Sequence, residues 1–113
     1  MNNIALARHE FVVNEFQDWY LEEPHSWIYR YEKGDTIIQW LPEESELYIG
    51  MINDTTEWKF FYKCKDDCLY PSRLGVSEQV YTDLNEVCNA LNKGGLSGIK
   101  VLYDLKLVED RLC

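Results

Sequence analysis

The chain has 113 residues, 46% of them hydrophobic and 27% charged, which predicts one domain, residues 1–113, with a packed core and excludes a wholly disordered chain. Twenty acidic and eleven basic residues give a net charge of −9, and the excess lies in residues 1–57, which hold twelve acids and three bases. Such a surface repels nucleic acid and anionic membranes, whose binding depends on lysine and arginine, and it attracts basic proteins.

The chain also lacks signs of a membrane or a secreted protein. No apolar run approaches the roughly 20 residues that span a bilayer, and the first residues show no basic segment followed by a long apolar one. We therefore expect a soluble, cytoplasmic protein with reduced thiols at Cys64, Cys68, Cys88 and Cys113. The spacing of Cys64 and Cys68 could serve half a zinc site, but the second half is missing, so we expect no metal and no cofactor.

An amphipathic helix is predicted over residues 3–21, before Glu23-Pro24. Its apolar residues recur at a spacing near 3.6 and are Ile4, Ala7, Phe11, Phe16 and Trp19. We expect this stripe to face the core.

Four strand-like segments follow, in which aromatic and β-branched residues alternate with polar ones. Short polar connections such as Lys33-Gly34-Asp35 predict an antiparallel meander. The segments are 25–32, 36–41, 46–52 and 57–64. One face should lie beneath the first helix and bury Trp27, Tyr29, Trp40, Trp58, Phe60 and Tyr62. The other should be exposed to solvent and carry Arg30, Gln39, Lys59 and Lys63.

A second helix is predicted over residues 83–93, after a loop over 65–78. Thr82 is its expected N-cap and Gly94-Gly95 its end. Its apolar positions are Leu84, Val87, Cys88 and Leu91.

Residues 99–108 are predicted as a fifth strand because their polarity alternates. Leu102 and Val108 break that alternation and leave a helix open. The order of elements predicts an α+β fold of two layers: an N-terminal helix on a four- to five-stranded antiparallel meander, with a second helix near the C terminus.

Successive connections of a meander alternate between the two ends of its sheet, which groups many of the acids at one end. We call this the acidic end, and its carboxylates are those of Glu22, Glu23, Glu43, Glu44, Glu46, Asp66 and Asp67. We expect it to bind a basic partner, with Tyr48 and Tyr70 as aromatic anchors. Two alternatives stay open: the acids only solvate the turns, or binding uses the exposed sheet face around Ile28 and Phe61.

The sequence offers no catalytic arrangement. Neither His9 nor His25 lies in a nucleophile motif, and the glycine-rich segment 94–98 follows a helix, where a phosphate-binding loop would follow a strand. We expect a binding protein without enzymatic activity.

Small size, reduced thiols, acidity and aromatic-rich strands together resemble bacterial toxin-immunity proteins of the contact-dependent growth inhibition type. The resemblance is carried by Glu22-Glu23, by Glu43-Glu44-Ser45-Glu46 and by Trp27, Trp40 and Trp58. It implies a cytoplasmic inhibitor, monomeric when free, that binds a basic toxin such as a nuclease domain and occupies its phosphate-binding cleft.

Two other classes of protein share these features. One is a phage protein that mimics DNA and inhibits a nucleic-acid-binding defence complex. The other is an acidic type III secretion chaperone, which works as a dimer on a partly unfolded effector. Solution mass separates the chaperone from the other two classes, and an adjacent toxin gene would identify an immunity protein.

Overall fold

A seven-stranded antiparallel sheet forms one layer of the fold, and two helices form the other. The computed structural model describes residues 1–25, 27–54, 57–71 and 78–112. The strands are β1 (Tyr20–Leu21), β2 (Tyr29–Lys33), β3 (Thr36–Leu41), β4 (Glu46–Met51), β5 (Phe60–Lys63), β6 (Cys68–Pro71) and β7 (Val80–Tyr81). They follow one another across the sheet in chain order, which confirms the predicted α+β meander.

The sheet has more strands than the sequence indicated. β1 and β7 have two residues each and β6 has four, which is too short for alternation to stand out. β6 lies inside the predicted loop 65–78, and residues 72–77 of that loop lie outside the described part of the chain, as do Thr55 and Thr56 of the predicted turn before β5.

The first helix, α1 (Asn3–Glu15), ends well before the predicted residue 21. Asn2 caps its start, since its Oδ1 accepts a 2.8 Å hydrogen bond from the Ala5 N–H. At the other end, the Glu15 carbonyl accepts a hydrogen bond of 2.9 Å from the Asn92 side chain, and the chain turns into β1. Residues 20 and 21, which were predicted to end the helix, thus belong to β1 instead.

The predicted apolar stripe of α1 is partly wrong. Ala5 and Val12 are the buried positions of the helix, and Phe16 and Trp19 are buried just after it. Ile4 is 65% exposed, because the face that meets the sheet is rotated away from it.

The second helix, α2 (Leu84–Leu112), extends through the segment predicted as a fifth strand, so that strand prediction is wrong. Helical spacing places Leu96 and Ile99 in the core, with Leu102, Tyr103 and Leu107 packed against it. Apolar residues are so frequent in the segment 99–108 that they fit the strand period of two almost as well as the helical period of 3.6.

Both ends of the first part of α2 depend on polar side chains. Asp83 is the N-cap in place of the predicted Thr82, since its Oδ1 accepts a 2.8 Å hydrogen bond from the Glu86 N–H. The helix is interrupted at Gly94 and Gly95, as the two glycines indicated, but it resumes at once. There Thr36 Oγ1 accepts a 2.9 Å hydrogen bond from the Leu96 N–H.

The inner face of the sheet packs against both helices, and the outer face is left without a helix in the described part of the chain. Trp40, Phe60 and Tyr62 are buried on the inner face as predicted, and Tyr29 is half-buried there. The prediction that Trp27 and Trp58 are buried on the inner face is wrong, since Trp27 is exposed and Trp58 is only half-buried. Each precedes its strand, so the alternation that was extended to them does not apply.

Candidate functional site

The connections that hold the acidic residues do share one end of the sheet. They join β1 to β2, β3 to β4 and β5 to β6, which alternate with the connections at the opposite end. With neighbouring strands about 4.8 Å apart, the first and the last of these connections are separated by roughly 19 Å. The acidic end is therefore a line of carboxylates along the sheet and not a compact cluster.

Two of the three connections are fixed against each other. Ser45 and Asp67 close their turns in the left-handed backbone region, with φ values of 55° and 50°. The Ser45 carbonyl accepts a hydrogen bond of 3.0 Å from the Cys64 N–H, which ties the β3–β4 turn to the β5–β6 turn. Arg8 of α1 reaches the same place, 3.4 Å from Ser45 Oγ, and brings a positive charge that the sequence had not located at this end.

The acids of this end divide into two groups. Four are exposed on the connections and accept no hydrogen bond from a described tyrosine, and these are Glu22, Glu23, Glu43 and Glu44. The other three accept hydrogen bonds from tyrosine hydroxyls: Glu46 from Tyr48 at 2.9 Å, Asp66 from Tyr70 at 3.4 Å and Asp67 from Tyr62 at 2.9 Å. Because Tyr62 is a core residue, Asp67 supports the fold, whereas Glu46 and Asp66 orient tyrosines of the outer face.

The outer face carries four neighbouring aromatic side chains, which we call the aromatic row: Trp58, Tyr48, Phe61 and Tyr70. Tyr48, Phe61 and Tyr70 are direct cross-strand partners on β4, β5 and β6. Ring centroids lie 6.0 Å apart for Tyr48 and Phe61 and 5.0 Å apart for Phe61 and Tyr70, with the latter two nearly parallel at 9°. All four side chains are half-buried.

Trp58 extends the row, and the sequence had assigned it to the wrong face. Its ring centroid is 5.8 Å from that of Tyr48, and its indole lies over Gly50. A Cβ atom at Gly50 would stand 3.1 Å from Trp58 Cε3, so glycine leaves room for the ring. A glycine inside a predicted strand is the signal that could have indicated this close approach.

Lys63 places its ammonium group over the row. Its Nζ is 5.4 Å from the ring centroid of Tyr70 and 5.7 Å from that of Phe61. Both distances are within the range of cation–π attraction. Lys63 also faces Glu46 directly across β4 and β5.

The two tyrosines of the row act as hydrogen-bond donors at neutral pH. Burial raises the pKa of Tyr48, and so does the hydrogen bond to Glu46. Burial and the nearby Cys68 and Asp66 raise the pKa of Tyr70. Both hydroxyls therefore remain protonated, and the phenol–carboxylate pairs hold the rings in fixed orientations.

This arrangement suits binding to a protein. Rigid aromatic side chains supply contact area at a small entropic cost, and they dominate many protein interfaces. Stacking of Tyr48, Phe61 and Tyr70 on one another covers part of their ring faces, so the row offers less free ring surface to nucleobases than the aromatics of single-strand-binding proteins do.

A second exposed aromatic lies at the acidic end. Trp27 is 58% exposed in the β1–β2 connection, close in sequence to Glu22 and Glu23. The same connection borders a cleft of about 310 Å³ that is lined by Glu22, Glu23, His25, Ile28 and Arg30. Ile28, which the alternative site included, thus lies at the acidic end and apart from Phe61.

The described cysteines are controlled by their burial. Cys64, Cys68 and Cys88 are free and buried, and burial raises the pKa of Cys64 to about 11. Among the described residues, no group of three or more histidine, cysteine, aspartate or glutamate side chains could hold a metal ion. Cys113 lies outside the described residues.

Comparison with known proteins finds no match to this chain. No protein-family model, curated protein or solved structure matches the chain. No helix in the described ranges is long and apolar enough to cross a membrane. The acidic end and the aromatic row are therefore the features of the molecule that bear on its function.

Proposed function

We propose that the protein is a cytoplasmic inhibitor, similar in role to bacterial immunity proteins, that binds and neutralises a basic toxin, with a nuclease domain as the best match to its charge. The observation that carries the proposal is the position of the aromatic row beside the acidic end, where Tyr48 and Tyr70 donate to Glu46 and Asp66. The charges that would attract the partner thus lie next to the aromatic surface that would supply the affinity.

The charge supports fast association with a basic partner. Glu43 and Glu44 are exposed on a turn that the Cys64–Ser45 hydrogen bond holds in place. Successive acidic connections lie about 10 Å apart, close to the screening length of about 8 Å at physiological salt, so their fields overlap. A line of carboxylates can occupy sites where a nuclease binds phosphates and so exclude its substrate.

The aromatic row supports the short-range part of binding. Its rings are already ordered by stacking and by two phenol–carboxylate hydrogen bonds, so little side-chain entropy remains to be lost on association. Acidic residues without such a surface would give fast encounters and weak complexes, because steering raises association rates more than affinity.

The first test asks whether a reading frame adjacent to this one encodes a basic, toxic domain, and it then uses that domain. Co-expression with this protein should relieve the toxicity of that domain, and the complex should be isolable with the enzyme inhibited. Unrelieved toxicity and no complex would contradict the proposal. A stable dimer that holds a partly unfolded effector would support the secretion-chaperone alternative instead.

The second test distinguishes a specific effect of the acidic end on association from a general effect of net charge. The triple variant Glu43→Gln, Glu44→Gln, Glu46→Gln should slow association about tenfold and flatten its dependence on salt. Glutamine at position 46 can still accept the hydrogen bond from Tyr48, so the row stays oriented.

The matched control has the same net charge with the acidic end intact. It carries substitutions at three exposed acids of other regions, namely Glu10→Gln, Asp18→Asn and Asp104→Asn. Its association rate should remain close to that of the unmodified protein. Equal slowing in the two triple variants, or slowing in neither, would exclude the acidic end as the binding surface.

A further inference from the structure

We infer that the aromatic row is a binding site for an arginine side chain of the partner, and that Lys63 occupies this site in the free protein. The inference rests on the proposed function, because it takes the partner to be a basic protein. It adds which side chain the partner inserts and where.

The position of Lys63 shows that the row attracts a cation. Its ammonium group lies over Phe61 and Tyr70 although Glu46, its direct cross-strand partner, could receive it. Among the described residues, Lys63 forms no ion pair within 4.0 Å. The rings therefore hold this charge without the help of a carboxylate.

Arginine fits this place better than a second lysine. A guanidinium group is planar, so it stacks on a ring face while its N–H groups donate sideways. Glu46 and Asp66 flank the row, and each carboxylate accepts one described phenol hydrogen bond, which leaves lone pairs for an incoming donor. A lysine ammonium cannot stack and donate to both sides in this way.

Lys63 also has a second place to occupy once it is displaced. Glu46 faces it directly across the two strands. A short movement of the flexible lysine stem would exchange the ring contact for this carboxylate. The arriving arginine therefore removes Lys63 from the rings without leaving its charge unpartnered.

The experiment measures binding of two peptides of equal charge, hexa-arginine and hexa-lysine, to the intact protein at physiological salt. Hexa-arginine should bind about threefold tighter than hexa-lysine, as a single exposed cation–π contact would give. Lys63→Met should tighten binding of hexa-arginine about threefold to tenfold, and of hexa-lysine by less, because it vacates the ring site.

Two control variants isolate the ring site from general charge. Lys65→Met makes the same charge change on an exposed turn at the acidic end, and it should affect both peptides equally. Tyr70→Leu should abolish the preference for arginine, whereas Tyr81→Leu, at a tyrosine 65% exposed on β7, should preserve it.

Equal binding of the two peptides, or equal effects of Lys63→Met and Lys65→Met, would overturn the inference. So would weaker binding of the basic toxin domain after Lys63→Met, because Lys63 would then contact an acid of the partner. None of these results bears on whether the toxin is neutralised, which is the measure of the proposed function.

Discussion

The indole N–H of Trp40 donates a hydrogen bond of 3.1 Å to Nδ1 of His9. Trp40 is fully buried on β3, whereas His9 lies on α1 and packs its ring against Tyr29 at a centroid distance of 4.8 Å. The largest fully buried side chain thus donates to the neutral form of a histidine, and protonation of that histidine would remove the acceptor. Partial burial lowers the pKa of His9 from its ordinary value of 6.5, although Glu10 nearby acts in the opposite direction.

Stability should therefore fall in mild acid. Because the folded-state pKa of His9 is below its unfolded value, its contribution is present above pH 6.5 and is lost as the pH falls from there through the lowered pKa. Urea unfolding at pH 8, 6.5 and 5 measures this loss. In His9→Gln, which can still accept from the indole, the pH dependence over that range should be smaller. An unchanged profile would show that other groups cause it.

Asn92 joins the two helices and should be important for stability. Its Oδ1 accepts a hydrogen bond of 2.7 Å from Trp19 Nε1, and its Nδ2 donates one of 2.9 Å to the Glu15 carbonyl. Asn92→Ala should lower the free energy of unfolding by about 1–3 kcal/mol, since it leaves the buried indole N–H unpaired. The exposed Asn89 is the matched control, and Asn89→Ala should stay within about 0.5 kcal/mol.

Two adjacent glycines should respond oppositely to the same substitution. Gly95 has φ +57°, and a Cβ there would overlap Thr36 Oγ1, so Gly95→Ala should be destabilising by about 1–3 kcal/mol. Gly94 has negative φ and open space around it, so Gly94→Ala should be neutral or stabilising by up to about 1 kcal/mol. Thermal unfolding of the pair checks this, and a similar loss in both would mean that the interruption of α2 is not held by Thr36.

Two core tyrosines allow a second paired test. The Tyr31 hydroxyl is buried without a partner among the described residues, so Tyr31→Phe should leave stability unchanged or raise it. The Tyr62 hydroxyl donates to Asp67, so Tyr62→Phe should be destabilising by about 1.5 kcal/mol. Chemical denaturation of both variants is the measurement. A destabilising Tyr31→Phe would reveal a hydrogen bond to its hydroxyl.

The buried thiols should be inert in the folded protein. Burial raises the pKa values of Cys64, Cys68 and Cys88, so few thiolates form at pH 8. Iodoacetamide should modify these three slowly in native Cys113→Ser protein and rapidly in urea, as mass spectrometry would show. A reducing agent should not move the melting temperature, and a shift would point to a disulfide bond.

The central strands could be predicted because the residue pattern of each of these segments fits a strand and no other element. The segment predicted at 36–41 is β3 with the same bounds, and Gly34 adopts the positive φ of 61° expected in the tight turn before it. The layout of the acidic end followed from counting connections, which needs no knowledge of side-chain contacts.

The rest depended on contacts between distant residues. Nothing local to Trp58 indicates that it lies over Gly50 on the outer face, because the chain bends before β5. The end of α1 involves Asn92, which is 77 positions from Glu15 in the sequence. Tyr48 and Tyr70 were predicted as aromatic anchors because they are close to the acids in the sequence. That both rings stack on Phe61 follows only from the strand register.

The two outermost strands of the sheet bear on how the protein behaves at high concentration. β1 and β7 have two residues each, so each margin offers a foreign strand only a few backbone N–H and C=O groups. Long open margins are where sheets join into fibrils, and very short ones are a common protection. We therefore expect the protein to stay monomeric at high concentration without polymerising through its own sheet.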